Sequence, residues 1–206
     1  MRTRYKPWAK PYLDDHQEIV IKSLDDDPSF FADGPLEMEI GCGKGDFIVA
    51  LATNNPNTKY LAIEVSAMVA AMAARKAVEN KLQNIRFIVD DVAKILPLFL
   101  DETLGAIYLN FSDPWPKKKH EKRRLTFPAK LLEYTRILKK GGYLIFKSDN
   151  DALYDYSLAT IKESPLELIA YTDNYSALVE GDAMSEYEKQ FRSLSKNINR
   201  IVARRK

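Results

Sequence analysis

The stretch EIGCGKGD at positions 39–46 decides the fold of this chain. It follows the apolar segment Leu36–Ile40 and precedes Asp46–Asn54, which has the pattern of a helix. A strand, a glycine turn and a helix in this order form the type of loop that binds nucleotide-like cofactors. Glycines permit a sharp turn and let a ligand lie against bare main chain.

Two details separate this loop from a dinucleotide-binding loop. Its glycines run G-x-G-x-G, and Asp46 stands where a dinucleotide fingerprint has Gly or Ala. Glu39, in the strand before the loop, would repel a pyrophosphate, whereas it would attract a cationic cofactor. S-adenosylmethionine carries an ammonium and a sulfonium and no phosphate, so the loop favours that cofactor.

A second acid supports this interpretation. The next predicted strand, Lys59–Val65, carries Glu64 near its end. An acid at the tip of the second strand accepts hydrogen bonds from ribose hydroxyls, and one βαβ unit places it roughly twenty residues after the loop. The alternative is a tight structural turn with two solvated acids.

Composition predicts a soluble globular protein. The 206 residues, 46% of them hydrophobic, fit a single domain over residues 1–206 with a basic arm at about 1–12. We expect a cytoplasmic protein, because the sequence has neither an apolar signal core nor a membrane-spanning run. The single cysteine, Cys42, is interpreted as a packing residue. His16 and His120 are too far apart in sequence to suggest a metal site.

Strand-like and helix-like segments alternate along the chain, which predicts an α/β fold with an open, mostly parallel sheet and helices on both faces. Seven strands are expected, at Leu36–Ile40, Lys59–Val65, Ile85–Asp90, Leu104–Phe111, Tyr143–Lys147, Leu166–Tyr171 and Asn197–Ala203. The expected helices are Asp14–Leu24, Asp46–Asn54, Ser66–Asn80, Val92–Leu100, Phe127–Leu138 and Ala152–Glu163. Two long connections, Ser112–Thr126 and Asp173–Lys196, are expected to be functional.

The net charge is only +2, but basic residues concentrate in three blocks. They lie in the arm Arg2–Lys10, in the segment Lys117–Arg124, and from Lys189 to the C-terminus, where no acid occurs. Three such blocks on a nearly neutral chain favour a surface that binds nucleic acid. The alternative is that they are solvated ends and one solvated loop.

The fourth strand runs into a second distinctive motif, NFSDPWPKKKH at positions 110–120. Two prolines stiffen this turn and fix the positions of Asp113 and Trp115. The carboxylate of Asp113 can accept hydrogen bonds from the ring N–H and amino group of a guanine, and the lysines can neutralise phosphates. The sequence leaves open whether Trp115 stacks on the substrate or packs against the protein.

These motifs resemble those of the bacterial tRNA (guanine-N7-)-methyltransferase family. The matching stretches are RTRYKPW (2–8), EIGCGKGDF (39–47), AIE (62–64), NFSDPWPKKKH (110–120), KRRL (122–125), KSDN (147–150) and SEYEKQF (185–191). The resemblance spans the whole chain. It implies a class I S-adenosylmethionine-dependent methyltransferase with a Rossmann-like fold, which methylates N7 of a guanine in the tRNA variable loop.

The resemblance also implies site residues. The cofactor would be bound by Glu39, Gly41, Gly43, Gly45, Glu64, Asp91 and Asp113, of which Asp113 is also catalytic. The tRNA substrate would be contacted by Lys117, Asp149, Ser185, Glu186, Tyr187 and Glu188, and further RNA contacts would come from Lys119, Lys122, Arg123 and Arg124. The family usually has Thr at position 185 and often has Thr at position 148, where this chain has Ser. Asp91 is preferred to its neighbour Asp90 because it lies nearer the strand's carboxyl end.

The predicted reaction needs neither a general base nor a metal. Guanine N7 has an in-plane lone pair and no proton, so Asp113 is assigned to orienting the base and to stabilising the developing positive charge. An amino-group methyltransferase is one alternative, because D-P-W partly echoes the motif of those enzymes. A non-catalytic RNA-binding module is another. Whether the protein is a monomer or a homodimer stays open.

Overall fold

A computed structural model describes residues 6–175 and 183–206. The first five residues of the basic arm and part of the Asp173–Lys196 connection lie outside the described residues. The helices are α1 Ala9–Asp15, α2 Pro28–Ala32, α3 Asp46–Asn54, α4 Ala67–Glu79, α5 Val92–Ile95, α6 Pro128–Ile137, α7 Asp151–Lys162 and α8 Glu186–Ser193. The strands are β1 Val20–Ile21, β2 Leu36–Ile40, β3 Lys59–Ile63, β4 Ile85–Ile88, β5 Leu104–Asn110, β6 Leu138–Ser148, β7 Glu167–Thr172 and β8 Asn199–Arg204. Short 3-10 helices occupy Leu24–Asp26, Leu96–Leu98 and Lys118–Arg123.

The chain groups into two compact units. The first comprises the described part of Met1–Leu98 with Val179–Glu186, and its strands run in the order β1-β4-β3-β2, all parallel. Ile40 lies opposite Ile63, and Ile63 lies opposite Ile88. The carboxyl ends of three strands therefore meet at one edge, which places the segments that follow them side by side.

The apolar strands form the core of the first unit. Met38, Leu61 and Phe87 are fully buried, as is typical of strands covered on both faces.

Trp8, from the predicted basic arm, packs edge-on against Tyr12. The guanidinium of Arg75 on α4 lies 5.8 Å from the centre of the Trp8 ring. The described end of the arm is thus part of this unit.

The second unit comprises Phe99–Leu178 and Tyr187–Lys206, as far as these are described. Its strands run in the order β5-β6-β8-β7, with β5 and β6 parallel and β8 antiparallel to both of its neighbours. Asn110 pairs with Lys147, so the segments that follow β5 and β6 leave the sheet at the same edge. The predicted α/β class with mostly parallel strands is confirmed.

The helix predicted over Asp14–Leu24 is wrong. Helix α1 ends at Asp15, and Val20–Ile21 forms β1, with Val20 opposite Phe87. A β-branched pair that finds a strand partner is stabilised there, which outweighs its helical spacing in the sequence. This edge strand is the reason that the described residues form eight strands where seven were expected.

The glycine pair Gly141-Gly142 follows the predicted helix Phe127–Leu138, where glycines often end a helix, but the pair lies inside β6. The helix ends at Ile137, and the strand begins at once with Leu138. The backbone of the glycine pair bonds in both directions with Arg205, at 2.9 Å and 2.8 Å. These bonds continue β6 across the two residues, so the predicted strand Tyr143–Lys147 is longer than expected.

Candidate active site

Glu39 is the buried acid at the edge of the first unit. It lies in β2 with 1% of its surface exposed, directly before the glycine loop. A carboxylate is costly to bury unless it is hydrogen-bonded or faces a positive charge. Its position therefore suits a cationic group lying over the loop.

The glycine loop is held by backbone hydrogen bonds. The N–H groups of Gly41 and Cys42 both donate to the carbonyl of Ile63, at 2.8 Å and 3.1 Å. Gly41, Gly43 and Gly45 all have positive φ. A Cβ added at Gly41 or Gly43 would meet nothing within 4 Å, so bare main chain faces open space there. The exposed main chain at Gly41 and Gly43 thus forms a cradle with room for a ligand.

Gly45 has a different role in the same loop. It precedes α3, and a Cβ at this position would lie 2.7 Å from the Cβ and 2.9 Å from the Cα of Ala73. Helix α4 therefore packs directly on the loop, and the ion pair between Lys76 of α4 and Asp46 adds a second link. Asp46, which marked the loop as unlike a dinucleotide site, joins the loop to α4.

Glu64 links the loop to the end of β3. Its Oε2 accepts from the N–H of Gly43 at 3.1 Å, and its Oε1 accepts from the N–H of Ser66 at 2.9 Å. Charge-assisted hydrogen bonds of this kind are the stronger ones in proteins. The structure thus brings Glu39, the glycine loop and Glu64 together at one strand edge.

Asp90 and Asp91 have separate environments. Asp91 is exposed, and its Oδ1 accepts from the N–H of Ala93 as the N-cap of α5. Asp90 accepts from the Lys94 ammonium at 2.8 Å, and this bond lowers the pKa of the Asp90 carboxyl. Asp90, together with side chains such as Leu13 of α1, also lines a cavity of about 350 Å³.

Cys42 is buried within the loop. Burial raises the pKa of its thiol well above the ordinary value, and the nearby carboxylates of Glu39 and Glu64 raise it further. The thiol is therefore protonated at neutral pH and is not a nucleophile. This agrees with the interpretation of Cys42 as a packing residue.

The start of the SEYE segment belongs to the first unit. Glu186 pairs with Lys44 of the glycine loop at 2.9 Å, and Ser185 is half-buried beside it in the chain. This ion pair was not expected, because Lys44 stands inside a cofactor motif and Glu186 was assigned to substrate. It fixes the beginning of α8 against the loop.

In the second unit, Asp113 lies exposed on the turn after β5. Phe111 and Trp115, on either side of it, have φ values of +52° and +40°. Positive φ is unusual for bulky residues, and such strain often accompanies functional turns. The two prolines were expected to stiffen this turn, whereas the left-handed residues were not visible in the sequence.

One face of Trp115 is covered. The guanidinium of Arg123 lies 3.7 Å from the centre of the indole ring, and His120 packs edge-on with the ring centres 5.8 Å apart. An arginine over an indole is a favourable cation–π pair. In this structure the indole packs against the 118–123 segment, which favours the packing alternative that the sequence left open.

The basic segment after the turn does not present a uniform surface. Exposed cations are Lys117, Lys118, Lys119, Lys122 and Arg123. Arg124 is half-buried and turns back toward the preceding turn. Of the lysines and arginines in this segment, Arg124 is therefore the one that is not fully exposed.

The C-terminal basic block is largely ion-paired. The pairs are Arg192–Glu188 at 2.7 Å, Lys196–Asp149 at 2.6 Å, Arg204–Glu167 at 2.7 Å and Arg205–Glu102 at 2.9 Å. Acids far away in the sequence supply every partner except that of Arg192. The sequence has no acid after position 189 and therefore suggested more positive charge on this surface than remains once these ion pairs form.

Glu188 is the most buried of the expected substrate residues. It is fully buried, and its carboxylate pairs with Lys147 of β6 at 3.2 Å and with Arg192 at 2.7 Å. Lys147 is itself 1% exposed. Lys147 and Arg192 hold α8 in place through Glu188. Sequence reasoning missed both residues, because a lysine or arginine in a buried ion pair looks like a surface residue in a sequence.

Tyr187 and Asp149 keep access to solvent. Tyr187 is 41% exposed, and its ring lies nearly parallel to that of Phe191, with the ring centres 6.5 Å apart. Phe111 stacks on Phe191 at 5.8 Å. Asp149 is half-buried at the end of β6, where it accepts from Lys196. These side chains occupy the carboxyl-end edge of the second unit.

Among residues 6–175 and 183–206, no group of three or more His, Cys, Asp or Glu side chains could hold a metal ion. In the same part of the chain, no helix is both long and apolar enough to span a membrane.

Two solved structures that share this fold are methyltransferases. The 16S rRNA methyltransferase KamB matches with a TM-score of 0.66 at 12% identity, covering 89% of this chain and 94% of that one. An antibiotic-related methyltransferase matches with a TM-score of 0.62 at 18% identity, covering 88% and 94%. These likenesses show the fold, which is that of class I S-adenosylmethionine-dependent methyltransferases.

The sequence comparisons identify the family. The profile Methyltransf_4, described as "Putative methyltransferase", matches residues 33–201. The tRNA (guanine-N(7)-)-methyltransferase of Bacillus subtilis strain 168 is 39% identical over 207 residues, 97% of each chain. Its counterpart from Listeria monocytogenes EGD-e is 40% identical over 210 residues, 99% of this chain and 98% of the relative. The chain belongs to the tRNA (guanine-N7-)-methyltransferase family, and the resemblance described above is confirmed.

Proposed function

We propose that this protein transfers a methyl group from S-adenosylmethionine to N7 of a guanine in the variable loop of tRNA. The observation that carries the proposal is the alignment of 97% of the chain with an enzyme named for guanine-N7 methylation of tRNA. The cytoplasm, where its tRNA substrate would be found, is the proposed compartment.

The first unit supplies a fitting site for the cofactor. Open space over Gly41 and Gly43 leaves room for a ligand against main chain, and the buried Glu39 suits its ammonium group. Glu64 is assigned to the ribose, and Asp91 is assigned to cofactor binding. Asp91 is preferred over Asp90 because the Asp90 carboxylate already pairs with Lys94. When bound, S-adenosylmethionine supplies the electrophilic methyl group.

Asp113 is assigned to the target guanine as well as to the cofactor. Its exposed carboxylate can accept from the ring N–H and the amino group, which orients N7 and leaves its lone pair available. The methylated base is cationic, so a nearby carboxylate stabilises the charge that develops. No proton leaves N7, and Asp113 therefore needs no general-base role. Alignment of the two reactants supplies the rest of the rate.

The exposed lysines after the turn form the proposed phosphate-binding surface. They are Lys117, Lys118, Lys119 and Lys122. Exposed cations in one run can neutralise several phosphates, which gives affinity without sequence preference. Of the other substrate residues, Tyr187 and Asp149 are assigned to tRNA contacts. Glu188 is assigned to anchoring α8, because its carboxylate is fully buried in two ion pairs.

The test maps the methylated nucleoside. An unmodified tRNA transcript is incubated with the protein and methyl-labelled S-adenosylmethionine, then digested to nucleosides. We expect the label in 7-methylguanosine. A matched transcript in which 7-deazaguanosine replaces guanosine has no N7 and should take up no label. Label on an exocyclic amine would contradict the proposal in favour of an amino-group methyltransferase. The absence of both label and cofactor-binding heat would indicate an RNA-binding module.

A further inference from the structure

The turn that carries Asp113 needs support from outside itself. Phe111 and Trp115 both have positive φ, a conformation that costs bulky residues free energy. Strained residues persist only where the surrounding structure holds them in place. Asp113 is exposed, so the support must come from contacts to its neighbours in the turn.

Arg124 supplies such a contact. Its Nε donates to the carbonyl of Pro114 at 3.1 Å, and its Nη2 donates to the carbonyl of Trp115 at 3.2 Å. The two carbonyls belong to consecutive residues directly after Asp113. A planar guanidinium can bond both at once, whereas an ammonium is a single point charge without that fork.

Tyr156 on α7 holds the guanidinium from another side. The Cζ of Arg124 lies 4.2 Å from the centre of the Tyr156 ring. Burial raises the pKa of the Tyr156 hydroxyl, and the Glu121 carboxylate raises it further, so the phenol is neutral. A neutral aromatic face and two carbonyls together give Arg124 a defined orientation.

The neighbours of Arg124 do not share this environment. Lys119, Lys122 and Arg123 are exposed, whereas Arg124 is half-buried. The guanidinium of Arg123 lies on the indole of Trp115. Arg123 therefore contacts a side chain of the turn, whereas Arg124 bonds to the backbone of the turn. Within this basic segment, Arg124 is the residue whose charged group bonds the main chain next to Asp113.

We propose that Arg124 is a positioning residue for Asp113, supported by Tyr156, rather than a contact to RNA phosphate. The proposal rests on the methyl-transfer function proposed above. Arg124 holds the Pro114-Trp115 backbone in its strained form and thereby fixes the carboxylate that orients the base. Small misplacements of a catalytic group are costly to rate, by up to about a hundredfold for 1 Å.

The kinetic test replaces Arg124 with lysine, which keeps the charge and removes the fork. Arg124→Lys should lower the single-turnover rate at saturating tRNA by roughly ten- to a hundredfold and leave the KM for tRNA nearly unchanged. Arg75→Lys on α4 is the matched control and should behave like wild type. An unchanged rate in Arg124→Lys, or a loss confined to KM, would overturn the proposal.

The salt dependence separates positioning from phosphate binding. Arg124→Ala should keep the wild-type slope of log affinity against log salt. Lys122→Ala should reduce that slope by up to about 0.7 to 0.9, as expected for one lost phosphate contact. A slope reduced equally in both variants would make Arg124 an RNA contact and refute the positioning role.

Tyr156 provides a second pair of variants that spares the arginine. Tyr156→Phe keeps the aromatic face and should retain the wild-type rate, whereas Tyr156→Leu removes it and should lower the rate in the same direction as Arg124→Lys. The variant that combines Arg124→Lys with Tyr156→Leu should lose less rate than the product of the two single losses, because both substitutions act on one contact. Full activity of Tyr156→Leu would count against the proposal.

A spectroscopic readout keeps the proposal testable without methyl transfer. The chain has two tryptophans, so Trp8→Phe leaves Trp115 as the sole indole fluorophore. In that background, Arg124→Lys should make Trp115 more accessible to acrylamide, while cofactor affinity and melting temperature stay near those of the parent. Unchanged quenching would refute the proposal that Arg124 holds the Pro114-Trp115 backbone, even if the protein methylates N7. Increased quenching would support it even if the methylated atom proved to be another.

Discussion

The glycine loop and the Asp113 turn are both tight segments at a strand's carboxyl end, but they are held in different ways. In the glycine loop, backbone N–H groups bond to Ile63 and to Glu64, both at the end of the next strand. In the Asp113 turn, bulky residues adopt positive φ, and the side chain of Arg124 bonds the carbonyls. The first loop is specified by residue type, whereas the second is specified by contacts. A substitution in the glycine loop should therefore act by steric overlap. A substitution around the Asp113 turn should act by changing the orientation of the turn.

The largest expected effect is that of Gly45→Ala. Its Cβ would overlap Ala73, and φ at this position is +82°. Overpacking and left-handed strain together should lower the free energy of unfolding by about 3 kcal/mol. Denaturant titration measures this change.

Gly43→Ala is the matched control, because its added Cβ meets nothing within 4 Å. It should cost only the left-handed strain, about 1 to 2 kcal/mol, and should weaken cofactor binding by filling the cradle. Equal destabilisation by both alanines would show that α4 does not pack on the loop as described.

Asp113→Asn should reduce turnover by roughly a hundredfold or more, the scale on which loss of one preorganised electrostatic group acts. The amide keeps the shape, removes the charge and replaces one acceptor by a donor. The melting temperature should barely change, because Asp113 is exposed on a turn. Turnover close to that of wild type would remove Asp113 from the mechanism.

Glu64→Ala should weaken S-adenosylmethionine binding about tenfold or more, since a charge-assisted hydrogen bond contributes roughly 1.5 to 3 kcal/mol. Part of the loss arises because Gly43 and Ser66 lose their acceptor. Glu64→Gln retains one carbonyl oxygen and should lie between wild type and alanine. Calorimetric titration decides the matter, and an unchanged dissociation constant would rule out the ribose assignment.

The smallest expected effect concerns the exposed lysines. Lys119→Ala with Lys122→Ala should flatten the salt dependence of tRNA binding by up to about 1.4 to 1.8 in slope, while cofactor affinity stays constant. Lys196→Ala, which removes the partner of Asp149, should flatten it by less than half as much, because that single charge is already paired. If the salt slope falls equally per charge removed in both cases, the exposed lysines and the ion-paired C-terminal block do not differ in RNA binding.

The sequence predicted what local residue patterns determine. The glycine loop followed from its spacing, and the buried strands followed from their apolar runs. Glu64, the acid predicted near the end of the second strand, bonds to that loop. Strand β1 was missed because its two residues become a strand only by pairing with β4. A pattern of two residues contains no signal of that partner.

Long-range charge pairing was the other limit. Lys147 and Glu188 are 41 positions apart and both are buried, which no local pattern indicates. Likewise, Arg124 belongs to a run of cations whose members look alike until tertiary contacts separate them. The sequence therefore located the candidate site but not the side chains that hold it in shape.

The proposed methyl acceptor, N7, has no proton to lose, and the pH dependence of the chemical step tests this most directly. A carboxylate that orients the base takes no proton from it, so this role adds no proton-transfer step to the reaction. The single-turnover rate of the wild-type protein with saturating tRNA and cofactor should therefore be flat from about pH 6 to 8. A rate that climbs about tenfold per pH unit over this range would show that proton removal controls the step. That result would contradict the account and point to an exocyclic amine as the methyl acceptor.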